Sequence, residues 1–149
     1  MTKPILYGLL VITVMFVLTA CNRQTIVDSK PILRFVETSA DTIIANEDTL
    51  ILWLEYEDAE GDLGEESPEV RTLSIKDSRL PEPDYYHVQP LAPLGSMVWI
   101  KGTLAVHIPR LFLLSVAETE EAVFTARIQD RAGNWSDFTQ SPPVIIVQD

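Results

Sequence analysis

The chain has 149 residues, 11 basic and 22 acidic side chains, a formal net charge of −11 and a single cysteine. That length suits one domain with one buried core. The acidic balance argues against nucleic acid and against anionic lipid surfaces as partners, and a lone thiol permits no internal disulfide, so stability must come from packing.

In chain order, Lys3 supplies one positive charge ahead of the apolar run from Ile5 to Leu18, which ends at polar Asn22-Arg23-Gln24. A charged start, a short apolar core and a small-residue exit describe a secretory signal; a membrane-spanning helix usually needs about 20 apolar residues. The exit, Leu18-Thr19-Ala20-Cys21, resembles the lipobox of bacterial lipoproteins. That resemblance implies a diacylglyceryl thioether on Cys21, cleavage between Ala20 and Cys21, and a new amine open to acylation. Two or three acyl chains anchor durably where one holds marginally. The competing reading is an uncleaved anchor helix with an incidental cysteine. Residues 1–20 are thus expected to be a lipoprotein signal peptide and 21–30 the lipidated cysteine with its tether. The expected address is the bacterial envelope, at the outer membrane. The mature chain would carry 129 residues and a formal charge of −12, since the signal contains one basic residue and no acidic one.

From Pro31 to Asp149 the texture is β: short alternating runs parted by Asp, Gly, Pro and Ser. Ile32–Val36 reads as a first strand and Thr42–Ile44 as a second piece. Thr49–Glu57 is the strongest, with Leu50, Leu52, Leu54 and Tyr56 on one face. Val70–Lys76 alternates, with Leu73 and Ile75 inward, and Tyr85–Val88 fits an edge strand. Trp99–Ile108 places Leu104, Val106 and Ile108 inward; Glu121–Gln129 does so for Phe124, Ala126 and Ile128; Pro143–Val147 closes the chain. Arg110–Leu114 fits either a short helix or a buried crossover. About seven short strands predict an all-β fold, a single antiparallel immunoglobulin-like β-sandwich, with a barrel-like domain as the alternative.

Two loops carry most of the remaining information: Asp58-Ala59-Glu60-Gly61-Asp62-Leu63-Gly64, and Asp130-Arg131-Ala132-Gly133-Asn134-Trp135-Ser136. With Lys101-Gly102-Thr103-Leu104 and the closing Pro-Pro-Val-Ile strand, they resemble a group of Bacteroidota lipoproteins of no settled activity, over roughly residues 31–148. The resemblance implies an Ig-like sandwich and nothing about substrate. The chemistry of the first loop is readable directly. Asp58, Glu60 and Asp62 alternate, so their carboxylates can converge on one hard cation, and Gly61 and Gly64 allow a tight backbone with exposed carbonyls. An all-oxygen set favours calcium over zinc. In an Ig-like sandwich the second loop would lie at the same end, where Asp130 and Asn134 could complete the shell. The same residues also fit two ordinary polar turns.

His87 and His107 lie on predicted strands without spaced partners, and there is no nucleophile elbow, phosphate loop or zinc spacing. A glycosidase would need two carboxylates across a groove, and nothing selects them; the expectation is that the chain is not an enzyme. Trp53 and Trp99 take the outward parity of their strands and would form an exposed aromatic patch if those strands are neighbours. Trp135 is a further candidate contact. Asp41-Thr42-Ile43 and Asp48-Thr49-Leu50 resemble a Bacteroidota O-glycosylation sequon. The sequence therefore leads to a membrane-anchored binding or interaction module for an envelope protein or glycan, with calcium as a candidate stabiliser. A purely structural lipoprotein is the alternative and a hydrolase the third.

Overall fold

A computed structural model describes residues 29–149; the expected export signal, Cys21 and most of the expected tether lie outside the described residues. These form ten strands and no helix: β1 (Ile32–Thr38), β2 (Thr42–Ile44), β3 (Thr49–Asp58), β4 (Leu73–Asp77), β5 (Asp84–Tyr86), β6 (Ile100–Pro109), β7 (Thr119–Ala122), β8 (Phe124–Ile128), β9 (Thr139–Gln140) and β10 (Val144–Val147). The fold is all-β with antiparallel sheets, consistent with a β-sandwich.

One layer has the order β1-β3-β6. Its centre is β3, where Leu50, Leu52 and Leu54 are buried and the intervening positions are half-covered, the period-2 alternation of a sheet with one face on the core. β6 pairs with β3 along its full length, from Thr49↔Pro109 to Asp58↔Ile100. β1 pairs with the other edge, through an irregularity that leaves Val36 unpaired and exposed. The facing layer is made of a four-stranded sheet, β5-β4-β8-β9, and a separate three-stranded sheet, β2-β10-β7. Leu73, Ile75, Phe124, Ala126, Ile128, Val144 and Ile146 point from it into the same core as Leu33, the β3 leucines, Val106 and Ile108. The short β2 leaves the layer of β1 and runs parallel to β10, so one pairing departs from the antiparallel expectation.

Ten strands replace the seven or so expected, for two physical reasons. The run Glu121–Gln129 changes neighbours at Val123: β7 pairs with β10 and β8 with β4. Val123 itself exchanges hydrogen bonds with Ser78, its amide donating to Ser78 Oγ and its carbonyl accepting from the Ser78 amide. A further strand, β9, precedes the expected last one and is parted from it because Pro142 and Pro143 carry no N–H for the ladder and Ser141 turns both its amide and its hydroxyl to Phe124. The strand expected from Val70 begins only at Leu73. Arg110–Leu114 is neither helix nor buried crossover: Arg110 takes φ 52°, Leu111 plugs the core, and Phe112 and Leu114 are exposed.

The chain enters at one end of this sandwich. Pro31 is fully buried, Lys30 Nζ donates to Asp137 Oδ1 at 2.6 Å, and Asn134 Nδ2 donates to the Ser29 carbonyl at 3.4 Å. The 58–64 loop, the 87–99 segment and the 129–138 turn gather at that same end, while the 110–118 loop lies at the other.

Candidate functional site at the tether end

The 58–64 loop is the hub of this end. Asp58, the last residue of β3, is buried, and its Oδ2 accepts the Asp62 amide at 2.9 Å, an Asx-type turn closed over four residues. Leu63 drops into the core with no exposed surface. Its backbone meets Asp130 in an isolated bridge, and its carbonyl accepts the Leu91 amide at 3.1 Å. Glu60 offers its carbonyl to Val98, Asp62 offers its own to the Arg131 amide, and the Glu65 amide donates to Val88. Gly61 (φ 71°) and Gly64 (φ 84°) sit against the carbonyls of Val98 and Gln89, where any Cβ would overlap backbone. Positive φ and close approach together require glycine here.

The second loop is built in the same way. Asp130 is buried; its Oδ1 accepts the Asn134 amide at 2.7 Å and its Oδ2 accepts Asn134 Nδ2 at 2.9 Å. Arg131 reaches across to the first loop, donating from Nη1 to the Gly64 carbonyl at 2.9 Å and from Nη2 to the Gly61 carbonyl at 3.3 Å. The structure therefore brings Asp58, Asp62, Asp130 and Asn134 to one end, and assigns several of the expected cation ligands to other work. The glycine carbonyls go to Arg131 and both Asp130 oxygens go to Asn134. Among the described residues no group of three acidic, histidine or cysteine side chains is disposed to hold a metal ion.

What remains is a pair. Asp58 Oδ1 and Asp62 Oδ1 are both buried and have no hydrogen-bond partner. Burial, then the Asp130 and Asp58 carboxylates, push the Asp62 carboxyl above its ordinary range, with Arg131 opposing. Each of these buried carboxylate oxygens lacks the donor that such a group ordinarily has.

The tryptophans do not form one patch. Trp53 is half-buried opposite Ala105, six residues along β6 from Trp99 and roughly 20 Å from it at strand spacing. Trp99 lies just before β6, 60% exposed, its Nε1 donating to Glu57 Oε1 at 3.4 Å. Trp135 packs on the outer face of β8, with the Arg127 guanidinium 4.3 Å from its ring centroid and 4.7 Å from that of exposed Phe138. Arg127 Nε is buried without an acceptor. Beside it is a hollow of about 310 Å³ lined by Ser74, Lys76, Pro83, Thr125, Arg127 and Phe138, among others. Sequence reasoning missed Arg127 and Phe138, although the outward parity of Arg127 between Ala126 and Ile128 placed it on the solvent face. His87 is tied by Nδ1 to the Val70 carbonyl and His107 is exposed on β6.

Comparison with protein-family models, with curated proteins and with solved structures gives no match.

Proposed function

We propose that this chain is an exported lipoprotein, anchored through Cys21 to the bacterial envelope, whose domain is an immunoglobulin-like binding module and not an enzyme. The lipobox supports the anchor. The Ig-like order is supported by β3 lying between β1 and β6, β4 lying between β5 and β8, and the initial segment dividing between layers as β1 and β2. The observation that carries a binding role is Arg127, its guanidinium against the rings of Trp135 and Phe138 beside an open hollow. A planar cation held by two rings on an outer sheet face suits a polar partner with acceptor groups, an envelope protein or glycan. The test is a pulldown from detergent-solubilised envelope with the full lipidated chain and with Arg127→Ala. A stoichiometric partner lost in the variant supports the module. Equal capture removes this face, and no partner at all leaves the purely structural lipoprotein.

A second reading concerns the Asp58–Asp62 pair. Its two orphaned oxygens favour an occupant, and calcium suits all-oxygen donors. Saturation about a hundredfold above the dissociation constant would add roughly 2.7 kcal/mol. Melting with excess Ca²⁺, with Mg²⁺ and with chelator reads this directly; identical curves overturn the cation reading.

A further inference from the structure

We propose that the 94–99 loop rests in the headgroup layer of the membrane that holds the Cys21 lipid, with Met97, Val98 and Trp99 as the inserted side chains. The inference rests on the lipoprotein reading of Cys21 and adds to it an orientation and a contact surface.

Position comes first. Ile32, the first residue of β1, pairs with Glu57, and Ile100, the first residue of β6, pairs with Asp58. The entering chain and the 94–99 loop thus flank the same end of β3, two strand spacings or about 10 Å apart. Reach comes second. The eight chain steps from Cys21 to Ser29 extend at most about 28 Å, whereas the ten residues of β3 alone span about 34 Å. The end at which the chain enters is therefore held within less than one sheet length of the lipidated cysteine. The other apolar loop, with Phe112, Leu114 and Val116 exposed, is a strand length further away.

Chemistry comes third. From Val88 through Ile100 there is no charged side chain, in a chain of net charge −11. Met97 is 83% exposed, and Leu94, Val98 and Trp99 are exposed as well. Gly95 takes φ 74° in open space and the Ser96 amide closes on the Pro93 carbonyl, so the segment turns outward as a tip. Its base is fixed to the acidic loop by Val98–Glu60 and Leu91–Leu63 backbone bonds. An exposed tryptophan beside Met and Val suits the membrane interface, where its amphipathic ring is favoured. Glu57, Glu60, Glu65 and Glu66 behind the tip repel anionic headgroups, so the surface it fits is zwitterionic.

The test uses the full lipidated chain in phosphatidylcholine vesicles carrying brominated acyl chains, read by flotation and tryptophan fluorescence. The expected result is co-flotation, with quenching of a component of the emission that disappears in Trp99→Phe, and weaker quenching when phosphatidylglycerol is added. Co-flotation with no quenching, or with quenching unchanged in Trp99→Phe, overturns the docking and leaves the lipid anchor standing. Failure of the wild type to float, or a purified chain whose mass shows no acyl groups on Cys21, overturns the lipoprotein reading and the docking with it.

Discussion

Replacing Leu63 by alanine tests whether the 58–64 loop is the hub of its end. Leu63 is fully buried, and its carbonyl and backbone bridge hold the 87–99 and 129–136 segments. Truncating a buried leucine costs about 2–5 kcal/mol, the spread reflecting how far the site collapses. Here the neighbours are β-strands fixed by long ladders and two glycines already in backbone contact, so collapse is limited and about 3 kcal/mol is expected. Against a typical total of about 5–15 kcal/mol, that is a large share, and for a domain of this size it lowers the Tm by roughly 10 °C. The assay is thermal melting with hydrogen exchange. The amides of Glu65, Leu91, Val98 and Arg131 should lose protection more than those of β3 and β6. Leu94→Ala, a truncation at the exposed tip, should move the Tm by less than about 2 °C. A loss below about 1 kcal/mol for Leu63→Ala, or protection lost evenly across the sheets, would refute the hub.

Asp62→Asn should raise the Tm at neutral pH, because it removes a carboxylate whose charge burial and two neighbouring carboxylates oppose. A carboxyl with a raised folded pKa stabilises progressively less as pH rises past its ordinary value, so the advantage should shrink on acidification; a lower Tm at pH 7 without metal would contradict this. Any Ca²⁺-dependent shift in the wild type should vanish in the same variant. Gly64→Ala, which must overlap the Gln89 carbonyl at φ 84°, should cost clearly more than Gly95→Ala, where φ is 74° in open space and only about 1–2 kcal/mol of left-handed strain applies; equal denaturation midpoints would argue against the close approach. At the opposite end, the Glu120 carboxyl accepts amides from Leu114 and Ser115 and faces Arg79, which hold it at about 2. Its folded pKa is depressed, so its contribution is full above the ordinary carboxylate value and lost as pH falls towards 2. Glu120→Gln should flatten the acid limb of a Tm-against-pH curve, and an unchanged limb would refute the assignment.

Much of this fold was legible in the sequence because a sheet with one face on a core imposes period-2 alternation. Leu50, Leu52 and Leu54, or Phe124, Ala126 and Ile128, declare their face before any partner is known. The breaks were less legible: Val123 changes neighbours only because Ser78, 45 residues away, takes its backbone bonds. The two polar loops were found by composition, and their meeting at one end followed from the expected topology. Their internal chemistry did not, since spacing shows that carboxylates can converge and cannot show that Arg131 takes the glycine carbonyls or that Asn134 satisfies Asp130. The aromatic surface divided for the same reason. Strand parity placed Trp53 and Trp99 on one face, while register set them about 20 Å apart and stacked Trp135 on Arg127 instead. By itself the sequence determined the β texture, the core faces and the two turn motifs, all local properties of spacing and residue type. Only the tertiary structure decided which groups share a hydrogen bond, which buried oxygens lack one, and which loop stands beside the entering tether, because those depend on contacts between segments distant in the chain.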